Sequence, residues 1–342
     1  MANILPRSVI NSLRGLQVQG GARQSDAFDN DSSFSPSPID IVVARIMMTR
    51  GIKLPPDVVD MIFDHAGYWA HSSNEFDFIA EQQNRLKVIG NSPHNNKLIL
   101  RGYPVGLTGL TDANDKELAE ELAWDKNEAN PLPLSRERDP EYFKKLPNYP
   151  TPRLISPVRK VVFSIRSGDQ GWGGESANRG TFKGSWTWFE AGLERFDADQ
   201  TCDPQCTYDV RFKSPSSKES PLPVCGLRSL HPEVEPIPDK EGKFQYKHPL
   251  SGNPTLEIQR NKSATRAPQD HVVTWSYLDD IRGDSEEAIK IDEQQGRGRE
   301  TLDGSFVRNL KMGDVITIWA KARFPGWANT IEKVKLDVYW AV

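Results

Sequence analysis

Cysteine is scarce in this chain, with three in 342 residues, and no apolar signal stretch follows Met1. An odd, sparse set excludes a disulfide framework and points to a reducing compartment, cytoplasmic or nuclear. Also missing is any apolar run near the roughly 18 residues of a membrane span, so no membrane partner is expected. Positive charge is not in excess either: the net charge is -4 and the pI about 5.9. That balance leaves no global electrostatic footprint for nucleic acid. The six His stand alone, none at metal-ligand spacing, and Cys202 and Cys206 form one pair without a second. Neither a metal nor another cofactor is expected. No internal repeat is visible.

What the chain does have is 37% hydrophobic and 26% charged residues, the balance of a soluble globular protein, together with 25 Pro and 25 Gly. Those breakers confine a packed core to parts of the sequence. Residues 1–38 read as a flexible tail. Its first 25 residues carry Arg7, Arg14 and Arg23 without Asp or Glu, a composition shared with mitochondrial presequences. Ser35-Pro36 and Ser37-Pro38 fit proline-directed phosphorylation as well as an unmodified linker.

Residues 39–130 read as a small helical region. Ile41, Val42, Ile46 and Met47 recur at helical spacing, and Pro55-Pro56 opens a second helix with the stripe Val58, Val59, Ile62, Phe63, Ala66 and Trp69. An acidic helix is expected over 112–129. Residues 131–152, rich in proline, read as an extended connection.

From 153 to 342 the period drops to two. Val161, Phe163 and Ile165 alternate with polar neighbours, as do Tyr208, Val210 and Phe212, and at the end Val334, Leu336, Val338, Trp340 and Val342. Further alternation lies at 184–190, 255–259, 272–278 and 315–320. The expected fold is mainly β: an antiparallel, jelly-roll-like β-sandwich with an N-terminal helical segment. The last strand should pair centrally, and 214–254 and 281–303 should be long surface loops.

Three strand-end motifs are candidates for binding. Gly168 to Gly174 holds Asp169, Gln170 and Trp172 among four glycines; it is either a ligand loop that joins polar groups to a flat apolar face, or a tight corner. Trp186, Trp188 and Glu190 fall on one face of a strand, as a stacking platform or as core. Arg323, Trp327 and Asn329 link the last two strands and suit a carboxylate, phosphate or sugar hydroxyl, or a plain hairpin. Gly296 to Arg299 is a small basic spot. No catalytic residue is assigned, although Asp169 and Glu190 would form an acid/base pair if they shared a cleft.

The strings Val-Arg-Lys-Val-Val-Phe-Ser-Ile-Arg-Ser-Gly-Asp-Gln-Gly-Trp-Gly-Gly (158–174), Gly-Ser-Trp-Thr-Trp-Phe-Glu-Ala-Gly (184–192), Ala-Arg-Phe-Pro-Gly-Trp-Ala-Asn (322–329) and the terminal Val-Tyr-Trp-Ala-Val resemble a widespread set of fungal proteins. That resemblance covers about Ile52 to the end and implies no agreed biochemical role. Leu54-Pro55-Pro56-Asp57-Val58-Val59-Asp60-Met61-Ile62-Phe63 resembles the opening helix of an F-box, which implies a substrate adaptor of a ubiquitin ligase with Val58, Val59, Ile62 and Phe63 on the partner. After Phe63 the usual continuation is replaced. The expected role is recognition of a protein segment or glycan by the sandwich loops; the alternatives are the adaptor and a glycan-processing enzyme.

Overall fold

Period-two alternation builds strands, and the way those strands pair decides which loops meet. A computed structural model describes residues 35–107, 128–144, 152–200 and 224–342. Its strands are β1 (Ala70–Asp77), β2 (Leu86–Ile89), β3 (Asn96–Arg101), β4 (Val158–Gly168), β5 (Thr187–Phe196), β6 (Leu227–His231), β7 (Val234–Pro236), β8 (Phe244–Tyr246), β9 (Glu257–Arg260), β10 (Gln269–Ser276), β11 (Val315–Ala322) and β12 (Ala328–Trp340). Its α-helices are α1 (Pro38–Ile46), α2 (Pro56–Ala66), α3 (Phe78–Gln82), α4 (Pro140–Phe143), α5 (Glu286–Gln295) and α6 (Ser305–Asn309).

One sheet runs β1-β12-β4-β10, with β2 also on β12, and the other runs β3-β11-β5-β6, with β9 also on β5. Every pairing is antiparallel. Principal strands change sheet as the chain advances, from β3 to β4, β4 to β5, β9 to β10, β10 to β11 and β11 to β12. This is the winding of a jelly roll. Val161, Phe163, Leu336, Val338 and Trp275 from the first sheet share one buried cluster with Phe189, Leu193, Ile316 and Ile318 from the second. The fold is the antiparallel β-sandwich that the alternation predicts, with β12 between β1 and β4.

Residues 39–130 depart from the helical reading, because β1 to β3 belong to the same two sheets. The sequence hides β1: among its inward positions, Ser72 and Asn74 stand between Ala70 and Phe76, so apolar alternation is broken. Asn74 remains tolerable there because its Nδ2 donates to the Arg101 carbonyl at 2.7 Å. The expected loop at 281–303 contains α5, whose first turn is capped by Ser285 accepting from the Ala288 N–H. The expected loop at 214–254 carries β6, β7 and β8 in its described part. The strand expected at Tyr208 to Phe212 lies outside the described residues, as do all but the last two residues of the expected acidic helix.

Helices α1 and α2 cover the end of the sandwich marked by the facing pair Trp340 and Val158. Ser37 and Asp40 cap α1 reciprocally, the Ser37 hydroxyl accepting from the Asp40 N–H at 3.2 Å and the Asp40 carboxylate from the Ser37 N–H at 2.9 Å. Ile41, Val59 and Phe63 then enter the shared core beside Trp340 and Val342. This corrects the partner-binding expectation for α2: Val59 and Phe63 are buried in the sandwich and Ile62 packs against it, leaving Val58 and Met61, 38% and 66% exposed, facing outward. Phe63→Ala should therefore cost about 3–5 kcal/mol by the buried ring it removes. Met61→Ala should stay within about 0.5 kcal/mol. Urea unfolding of the two variants checks the contrast.

Candidate functional site

The opposite end of the same strands is marked by the facing pair Gly168 and Thr330. Here the 168–174 loop leaves β4, the 323–328 turn enters β12, and the 261–268 segment approaches from β9. Two adjacent side chains tie them together. Asp169 is buried, and its carboxylate accepts from its neighbour Gln170 N–H and from the Ala264 N–H, both at 2.7 Å. Gln170 reaches the other way: its Oε1 accepts from the Ala328 N–H at 3.1 Å, while its Nε2 donates to the Trp172 carbonyl at 2.6 Å. Burial holds the Asp169 carboxyl up at about 6, outweighing the two amide donors that stabilise its charge.

This clamp places Trp172 over Gly326. A Cβ at Gly326, whose φ is +89°, would lie 2.8 Å from the Trp172 ring, so only glycine admits the indole there. Trp172 remains 63% exposed, and Trp327 is half-buried beside Gly174. Between them opens a surface depression of about 630 Å³, lined also by Arg85, Lys87, Ile89 and Arg266. Arg85 pairs with Glu332 at 2.7 Å, whereas the exposed Lys87 and Arg266 have no ion-pair partner among the described residues. The depression therefore combines two indole faces with a cationic rim, and its one carboxylate, Asp169, is spent on the loop.

The structure thus brings together Asp169, Gln170, Trp172 and Trp327, and separates them from the other expected binding residues. Trp188 is buried, donating from Nε1 to Glu190 at 2.7 Å with the Arg323 guanidinium 5.0 Å from its ring centre. Trp186 lies apart from it, edge-on to Phe324 at 4.6 Å, so no double-Trp platform forms. Glu190 is buried against Lys321. Arg323 is buried and donates to the carbonyls of Pro249 and Leu250 at 3.0 and 3.1 Å. Asn329 donates to the Trp188 carbonyl at 3.2 Å and accepts from Asn261 at 2.9 Å. These groups are taken up by the fold itself. Asp169 and Glu190 line separate depressions, so the shared cleft of an acid/base pair is not formed. Arg297 is paired with Asp279 at 3.3 Å and Arg299 with Glu300 at 3.5 Å, away from the Trp172 depression.

Sequence reasoning missed Arg85, Lys87, Ile89 and Arg266. Their signal is weak, because single basic residues in polar stretches resemble any solvated surface. It also missed why Trp188, Glu190 and Arg323 disappear from the surface. The outer face of β5 and β11 is roofed by the segment after β6, where Tyr246 and His248 lie 5.6 and 5.3 Å from the Trp319 ring. Among the described residues no helix is long and apolar enough to cross a membrane. Comparison with protein-family models, curated proteins and solved structures found no match to this chain.

Proposed function

We propose that this protein is a non-catalytic recognition module whose sandwich loops bind a partner at the Trp172–Trp327 depression. The observation that carries this reading is the exposed Trp172, placed over Gly326 beside Lys87 and Arg266, two cations without an ion-pair partner among the described residues. A large indole ordered in water is an energetic liability unless a partner covers it, and buried aromatics with Arg are the residues that dominate interfaces. Of the two expected ligand classes, a protein segment is favoured, because Lys87 and Arg266 ask for carboxylates and Ile89 continues the apolar floor. The segment that fits is extended and acidic, with an apolar or aromatic anchor for the space between the indoles.

Trp172→Ala removes the anchor without touching the core, so partner affinity should fall at least about thirty-fold while the melting temperature stays put. Lys87→Glu and Arg266→Glu should weaken binding further at low salt than at high salt. The test is affinity purification from cells followed by titration of the recovered partner. Equal recovery and equal affinity for wild type and Trp172→Ala would reject the proposal.

A further inference from the structure

A second cavity lies under the roof of the β5/β11 face and has a chemistry of its own. It encloses about 270 Å³ and is lined by Glu190, His231, Glu233, Lys321 and Trp319, with apolar walls from Pro232, Pro249, Pro254 and Leu256. Its floor is a buried ion pair, Lys321 Nζ to Glu190 Oε2, whose side chains are 3% and 6% exposed. Its rim is the solvent-exposed pair of Lys247 and Glu233, 3.1 Å apart.

The floor is unevenly satisfied. Glu190 is well supplied: Oε1 accepts from the Trp188 indole at 2.7 Å and the Asn253 N–H at 3.1 Å, and Oε2 from Lys321. Gly252 is required for that arrangement, since a Cβ there would sit 2.4 Å from Glu190 Oε1. Lys321, by contrast, carries three N–H donors and among the described residues has Glu190 as its one hydrogen-bond partner. Two donors of a buried ammonium are left at the cavity wall, a costly condition in a site without acceptors.

Charge points the same way. Arg323 is buried too, and among the described residues its guanidinium donates to neutral oxygens, those of Asn95, Asn96, Pro249, Leu250 and Ala322. Two buried cations therefore share Glu190, while Glu257, the next carboxylate across β5 and β9, shares Arg260 with Asp292. Rim and floor pairs cancel, and Arg323 adds a positive charge next to the floor, outside the lining. The neighbouring His248 registers the same positive field: after burial, Lys321 and Arg323 are what push its imidazole down to about 3.

We infer that this cavity binds a small carboxylate with an apolar body, its two oxygens accepting from Lys321 and its body lying against the proline and leucine walls. A carboxylate supplies the missing acceptors and is drawn by the charge of Lys321 as well. A sugar hydroxyl or an amide supplies acceptors alone.

Benzoate, neutral benzamide and methyl glucoside serve as probes, titrated into the full chain labelled with nitrogen-15. The indole N–H signals of Trp188 and Trp319, assigned with Trp→Phe variants, report on the floor and wall. Benzoate should shift both saturably, benzamide should bind at least about tenfold more weakly, and Lys321→Met should abolish the benzoate response. No saturable shift with benzoate means that the cavity holds water only and overturns the inference. Equal affinity for benzamide, stronger binding of methyl glucoside, or a retained response in a folded Lys321→Met protein would overturn it as well. If Lys321→Met does not fold, the benzoate to benzamide ratio in the wild type decides.

Discussion

Arg101→Met should destabilise this protein by about 3–5 kcal/mol, more than any surface substitution. Arg101 on β3 and Glu194 on β5 reach across the intervening β11 and meet in a two-pronged pair, Nε to Oε2 at 2.7 Å and Nη2 to Oε1 at 3.1 Å. Their side chains are 0% and 1% exposed. Removing the guanidinium strands a carboxylate where water cannot reach it, and that desolvation, rather than the lost attraction, sets the cost. Glu194→Leu should be similarly damaging. The double variant Arg101→Met with Glu194→Leu should recover most of the loss, because two apolar side chains of similar volume need no partner there. Urea unfolding of the three variants measures the coupling; additive losses in the double variant would show that the pair acts through packing alone.

Two histidines should each draw stability down as pH falls from 6.5 towards 4, by about 1.4 kcal/mol per pH unit. The imidazoles of His271, buried, and His248, largely covered, act in this direction. Burial, then Lys321 and Arg323, hold His248 down at about 3; burial, then Lys262, hold His271 down at about 4. In the unfolded chain both protonate near the ordinary histidine value of 6.5, so as pH drops the unfolded state gains protons that the folded state refuses. Each histidine thus removes about 1.4 kcal/mol per pH unit below 6.5. Asp169 works in the opposite direction. Its folded carboxyl protonates at about 6, before the unfolded one, so it returns a similar increment per unit until about pH 4. Burial also holds His231 down, which adds a loss, and holds the Glu257 and Asp314 carboxyls up, which adds gains, so the share of each histidine is read from its own variant. His271→Phe and His248→Phe should each flatten the profile between pH 6 and 4, and Asp169→Asn should steepen it. Denaturant midpoints at half-unit steps test this; an unchanged slope in both histidine variants would exclude them as its source.

How far the sequence reaches is clearest in individual elements. In β12 the inward side chains Val334, Leu336, Val338 and Trp340 are all apolar, so both the strand and its central place follow from alternation and from the need to cover both edges. In β1 the inward Ser72 and Asn74 break the alternation, and pairing with β12 outweighs that local pattern. The Gly168–Gly174 loop shows the same division. Four glycines with Asp, Gln and Trp announce a loop in which the backbone approaches something closely. That the approach is made by Gly326 and Arg266, with Gln170 bridging to Ala328, depends on residues far along the chain.

Taken alone, then, the sequence determined β4, β5, β9, β10, β11 and β12, the sandwich that they form, and the loops that hold Trp172 and Trp327. Those properties are local, because a two-residue period and a glycine cluster constrain the backbone wherever the chain goes. Only the tertiary structure decided which polar residues are wet. Glu190, Glu194 and Lys321 alternate with apolar neighbours on β5 and β11, yet all three are buried, because Tyr246 and His248 arrive from a distant segment to roof that face. Alternation tells two faces apart, but what covers the second face is a contact between residues far apart in the chain, and no local pattern encodes it.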